Sequence, residues 1–240
     1  MKCINKWMAL LLCICIGCSF TGCKSETIPQ EYQIYDSSYQ YGITKNAPLT
    51  SSNLFSENLC IAKDENIHND EVDSQVAKSA AVFNTTTLET LYAQNIYEKI
   101  YPASTTKILT ALCAIKYGDL DQVITVSENA CDMASDSSVC KLKPGDQLTL
   151  RQLLYGLLLR SGNDAAIAIA EGISGDVASF AKLMNKEANS LGATHSNFVN
   201  PNGLQDKNHY TCAYDMYLIF HAADAVEEKE NIKNSSNYGS

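Results

Sequence analysis

Beyond Cys23 the sequence contains no Cys-x-x-Cys pair, and nowhere in its 240 residues does it have a His-x-x-x-His pair or a Gly-x-Ser-x-Gly turn. These absences remove the usual zinc frameworks and the strand-to-helix elbow that presents a hydrolase serine beside a histidine. Basic residues are too few to balance the acids, and the net charge is −9. Removing residues 1–22 takes away Lys2 and Lys6 and no acid, so the remainder is more acidic still. A nucleic-acid partner is therefore not expected. Ten cysteines look abundant, but Cys3, Cys13, Cys15, Cys18 and Cys23 crowd the N-terminus. The others, Cys60, Cys113, Cys131, Cys140 and Cys212, are odd in number and cannot all pair. Cys131 and Cys140 are spaced for a possible bridge, whereas Cys113 and Cys212 lie in apolar helical patterns and read as buried thiols.

At the N-terminus, Lys2 and Lys6 precede an apolar run from Trp7 to Ile16 that is too short to span a bilayer, followed by small residues. Residues 1–22 thus read as a signal peptide. Phe20-Thr21-Gly22-Cys23 resembles a lipobox, which implies Cys23 as the site of lipid attachment; a plain secretory signal or an uncleaved anchor are the alternatives. Each reading places the rest of the chain outside the cytoplasmic membrane, anchored in the envelope or secreted. Residues 23–75, rich in Ser, Asn, Tyr and acids without a sustained period, read as anchor site and linker.

From Ser79 onward periodic patterns take over. Ala80–Phe83 and Leu88–Tyr92 flank a Thr-rich turn and predict a hairpin. Val123–Val126 and Gln147–Thr149 predict a second strand pair. The stripe Ile108, Leu109, Leu112, Ile115 predicts a helix that ends at Gly118. Thr149 with Gln152 reads as a capping box opening a second helix through Leu153, Leu154, Leu157 and Leu158. Further helices are predicted over Ala165–Ala170, from Val177 to Gly192 and over Thr211–Ala223. This order of elements is an α+β arrangement in one domain.

Two polar clusters interrupt the apolar patterns. In Pro102-Ala103-Ser104-Thr105-Thr106-Lys107 the serine and lysine stand at i and i+3, on one helix face, close enough for an amine to take the hydroxyl proton. A lysine buried in a first helical turn is also easier to deprotonate. Ser161-Gly162-Asn163 forms a short turn between two apolar helices, with Asn163 or Asp164 able to cap the second. Either cluster alone fits an ordinary helix start. Together they define the candidate site. His68, His195, His209 and His221 offer a weaker alternative, with His195 and His209 read as structural or surface groups.

With these motifs in place, the chain resembles the serine D-alanyl-D-alanine carboxypeptidases, the low-molecular-mass penicillin-binding proteins. The resemblance runs in family order over residues 76–223 and includes Lys143-Pro144-Gly145-Asp146, Asn197 to Leu204 and His209 to Met216. It implies a β-lactamase/transpeptidase-like domain, a helical cluster packed on an antiparallel sheet that lacks its C-terminal strands. It also implies Ser104 as nucleophile, Lys107 as its base, Ser161 as proton relay and Asn163 as a substrate-binding amide. The substrate would be a peptidoglycan pentapeptide and β-lactams would inhibit; no metal or cofactor is implied. None of the sixteen lysines precedes Thr-Gly, the family's third motif, and residues 224–240 read as a divergent polar tail. An interrupted gene product is the first expectation, with a fragment completed by another chain or a non-catalytic envelope-binding lipoprotein as alternatives. A β-lactamase is the nearest enzymatic rival, disfavoured because neither Glu171 nor Glu187 opens Glu-x-x-Leu-Asn.

Overall fold

The computed structural model describes residues 58–68 and 76–236, with side chains as far as Val226. Two antiparallel strand pairs and a set of helices build it. Strands β1 (Ala80–Asn84) and β2 (Glu89–Gln94) form the predicted hairpin, with a bulge between Val82 and Phe83. Strands β3 (Val123–Thr125) and β4 (Gln147–Thr149) form the second pair. The helices are α1 (Thr106–Tyr117), the short α2 (Glu128–Cys131), α3 (Leu150–Leu159), α4 (Asn163–Ser174), α5 (Val177–Ser190) and α6 (Ala213–Ser236). Among the described residues no helix is long and apolar enough to cross a membrane.

Helix α4 lies at the centre, and its sequence shows why. Ala165, Ala166, Ala168 and Ala170 are all buried, and side chains this small let α1, α3 and α5 pack closely around one helix. Leu109 and Leu112 from α1, Leu153 and Leu157 from α3, and Phe180 and Met184 from α5 fill the core. At about 25 cal/mol per Å² of apolar area removed from water, this burial is the main stabilising term. On the far side, Phe83 of β1 stacks on Tyr217 of α6, with centroids 4.1 Å apart, and joins the hairpin to the helices.

Local signals set the helix ends. Thr149 and Gln152 form the capping box at α3, and Gly118 closes α1 by donating to the Ala114 carbonyl. Leu158 departs from the expected stripe. With about 100° between successive residues, Leu150, Leu153, Leu154 and Leu157 share the inner face while Leu158 and Leu159 turn outward, and both are exposed. Helix α6 starts two residues later than predicted and runs past Ala223 to Ser236, through most of the segment read as a tail.

Residues 58–68, read from sequence as linker, pack on the domain instead. Ile67 bridges to Ala93, Cys60 is buried, and its N–H donates to the Tyr217 hydroxyl. Polar composition hid this contact because the few apolar anchors, Cys60 and Ala62, have no period of their own. The targeting segment, Cys23 and most of the linker lie outside the described residues. The possible Cys131–Cys140 bridge is absent: both thiols are free, with Cys131 donating to the Leu142 carbonyl and Cys140 lodged against Gly156 and Gly162. Cys113 and Cys212 are buried thiols, as their helical patterns predicted.

One polar group in the core ties α5 to α1. The Glu187 carboxylate, buried, accepts from Lys116 Nζ at 2.8 and 2.9 Å and from the Tyr117 hydroxyl at 2.5 Å. Both donors are partly exposed and return to water when the carboxylate is removed, so the loss is that of the charge-assisted bonds. Glu187→Ala is expected to cost about 1–3 kcal/mol, read as a lower urea midpoint; an unchanged midpoint contradicts that role.

Candidate active site

Ser104 sits in a 3-10 turn (Ala103–Thr105) that leads directly into α1, and Lys107 occupies the first turn of that helix. The chain enters through Ala103, whose φ of 48° is unusual for a residue with a Cβ. Ser161, at the junction of α3 and α4, has a φ of 53°. Strained backbone of this kind costs on the order of 1–3 kcal/mol per residue and persists where surrounding packing holds it. Gly162 explains the packing at the second turn. A Cβ there would meet the Cys140 sulfur, so glycine lets the 138–142 segment close over the junction without displacing that side chain.

The three polar side chains predicted from the two motifs converge. Lys107 Nζ lies 3.1 Å from Ser104 Oγ and 3.2 Å from Ser161 Oγ, while the two hydroxyls are 3.3 Å apart. Ser104 is exposed and Lys107 is 3% exposed, so a substrate meets the serine while the amine stays behind it. No carboxylate pairs with Lys107 among the described residues. Burial lowers its pKa below the ordinary lysine value. Asn163 is the first residue of α4; its backbone N–H donates to the Ser138 carbonyl, and its side-chain amide makes no hydrogen bond among the described residues.

Asp164 is not the N-cap that was considered. Gly162 takes that position without a side-chain bond, and the buried Asp164 carboxylate accepts the backbone N–H groups of Cys140, Leu142 and Ala165. It pins the 140–142 segment to the start of α4, and so fixes the Ser161 turn from behind.

The Asn200–Gly203 turn, within the Asn197 to Leu204 stretch of the resemblance, supplies the third wall. Lys107 Nζ donates to the Asn202 carbonyl at 2.9 Å, and Thr110 Oγ1 donates to the Pro201 carbonyl at 2.7 Å. Gly203, with a φ of 80°, rests on the Ala103 carbonyl, where any Cβ would overlap it. His209 joins the same assembly. Val199 N–H donates to its Nδ1, so the neutral ring carries its proton on Nε2 and donates to Thr106 Oγ1 at 2.8 Å. Burial lowers the His209 pKa, with the Asp206 charge opposing, which favours that neutral form. A signal was present: Thr106 and Thr110 stand four apart on an otherwise apolar helix face, and buried hydroxyls need partners.

Chemically, the cluster offers an exposed hydroxyl beside an uncharged-prone amine, a second hydroxyl and an unengaged amide. That set suits nucleophilic acyl transfer without histidine or metal ligands at the reacting atoms.

Comparison with known proteins agrees with the motifs. Residues 65–238 match the family model described as D-alanyl-D-alanine carboxypeptidase. The chain is 40% identical over 148 residues to the D-alanyl-D-alanine carboxypeptidase DacF of Bacillus subtilis, covering 60% of this chain and 38% of that protein. Among solved structures, the carboxypeptidase DacD of Francisella tularensis superposes with a TM-score of 0.58 at 31% identity, over 72% of this chain and 41% of that one. A D-alanyl-D-alanine carboxypeptidase of Mycobacterium tuberculosis gives 0.54 at 36% identity, over 57% and 51%. The α+β architecture is thus that of the penicillin-binding proteins. The chain spans about two fifths of the length of the curated relatives it matches.

Proposed function

The chain belongs to the D-alanyl-D-alanine carboxypeptidase family, and on that premise we propose that the protein is a serine-type carboxypeptidase that removes the terminal D-alanine from peptidoglycan stem peptides. The observation that carries the reading is the buried Lys107 amine within 3.1 Å of the exposed Ser104 hydroxyl. In the neutral amine two N–H groups donate to the Asn202 carbonyl and to Ser161, leaving the lone pair for the Ser104 proton. Ser104 Oγ then bonds to the penultimate D-alanine carbonyl carbon. The C–N bond breaks, and the departing amine takes a proton passed from Lys107 through Ser161. Water hydrolyses the resulting ester, releasing the shortened peptide and restoring Ser104. Asn163 would hold the peptide backbone through its unengaged amide. β-Lactams would stop at the ester stage. The proposed setting is the cell envelope, with attachment through a lipid on Cys23 or by a signal anchor.

The test is release of D-alanine from a peptide ending in D-Ala-D-Ala, followed over pH with the full chain. Only the neutral amine can accept a proton, so the rate should climb with pH along a limb centred below 10.5, the ordinary lysine value. Lys107→Arg, permanently charged, should abolish that limb. Peptide binding with neither D-alanine release nor a penicillin adduct would overturn the proposal.

A further inference from the structure

Away from Ser104, the start of α6 meets the 195–197 segment around a buried carboxylate. Asp215 is fully buried, and one of its oxygens is well served: Oδ2 accepts from the His195 N–H at 2.7 Å and from Ser196 Oγ at 2.6 Å. The other oxygen, Oδ1, is buried with no hydrogen-bond partner. It faces His195 Nδ1 at 3.7 Å, too far for a hydrogen bond. No lysine or arginine pairs with this carboxylate among the described residues. A buried carboxylate in this state is destabilising unless a cation compensates it.

The third group at this point is the Cys212 thiol. It is fully buried and accepts the Asp215 N–H at 3.4 Å, which holds sulfur and carboxylate on the same side of the first turn of α6. The ligand atoms of His195, Cys212 and Asp215 all lie within 4.8 Å of one another. Tetrahedral zinc, with bonds of about 2.0–2.3 Å to nitrogen, oxygen and sulfur, needs donors roughly 3.3–3.8 Å apart. The observed spacing exceeds that range by about 1 Å at most. The His195 side chain is 54% exposed, so the cluster meets solvent on the histidine side. No Cys-x-x-Cys or His-x-x-x-His spacing announces the site, because its donors come from two segments joined only by the fold.

We propose that His195 Nδ1, Cys212 Sγ and Asp215 Oδ1 form a structural binding site for a divalent cation of the zinc class. The donor set of imidazole, thiolate and carboxylate fits zinc better than magnesium or calcium, which take oxygen ligands. Binding releases the thiol proton to solvent and leaves the sulfur as thiolate. The ion clamps the N-terminal turn of α6 to the strand-like segment that ends in the Asn200–Gly203 turn, so its effect is on the framework and not on the reacting atoms.

Cobalt(II) alone, added to the reduced full chain in place of zinc, tests this directly, since thiolate ligation produces a near-ultraviolet charge-transfer band. The parent chain should develop the band with one equivalent and lose it when zinc is added. His195→Ala removes an exposed side chain, keeps every cysteine and should fold; it is expected to weaken cobalt binding by about 100-fold, the scale on which even supporting groups act at metal sites. Cys212→Ser should lose the band altogether. Zinc should also raise the melting temperature of the parent and not of His195→Ala. A band of equal strength and affinity in His195→Ala would mean that other cysteines hold the metal, and no band in the parent would mean that the three donors bind no such ion. Either result overturns the proposal.

Discussion

Ser104→Ala is expected to abolish covalent capture of a fluorescent penicillin and to lower D-alanine release by about 10⁴-fold or more, the scale on which loss of a nucleophile acts in serine hydrolases. The fold should not change. Ser104 is exposed, and among the described residues its hydroxyl touches only Lys107 and Ser161, so its removal opens no cavity and strands no buried polar group. Far-ultraviolet circular dichroism and the urea midpoint should match the parent within about 0.5 kcal/mol, as for other surface changes. Ser161→Ala serves as the comparison: its hydroxyl contacts the same amine but forms no bond to substrate carbon, so an adduct should still appear, more slowly. Persistent labelling of Ser104→Ala would place the nucleophile elsewhere and end the proposed mechanism.

Gly203→Ala should have the second largest effect, through geometry alone. The residue has a φ of 80°, and an added Cβ would overlap the backbone of Ala103 and press on Thr106 Oγ1. Backbone cannot rotate aside as a side chain does. The left-handed conformation costs an alanine about 1–2 kcal/mol. Relieving the overlap moves the turn, and with it the Asn202 carbonyl that orients Lys107. Displacements of about 1 Å at positioning groups cost roughly 100-fold in rate, so penicillin acylation should slow by about that factor with a lower urea midpoint. Gly145→Ala isolates the conformational part, since Gly145 also has positive φ, 89°, but nothing lies within 4 Å of its missing Cβ. That variant should lose about 1 kcal/mol and acylate normally. Equal acylation rates in the two variants would show that the Asn200–Gly203 turn does not position the site.

The parts of the site legible in the sequence are those set by short-range geometry. Ser104 and Lys107 are three residues apart, and one helical turn is enough to bring them together. The Ser161 turn shows itself as a polar break between apolar helices. The Thr149 capping box and the Gly118 stop are likewise local, and both stand as read. Asp164 was misjudged because its residue type suits a cap, whereas its actual partners, Cys140 and Leu142, lie more than twenty residues earlier in the chain. His209 has no local signature at all; its role exists only because Thr106, 103 residues away, needs a donor.

By itself the sequence determined the elements, the acidic character that argues against nucleic acid, and the pairing of a serine with a lysine on one helix, because periodicity and composition act over a few residues. Only the tertiary structure decided that Lys107 is buried and uncharged-prone, that Ser161 and Asn202 close around it, and that His195, Cys212 and Asp215 meet. Those facts depend on which distant segments exclude water from one another, and no local spacing encodes that.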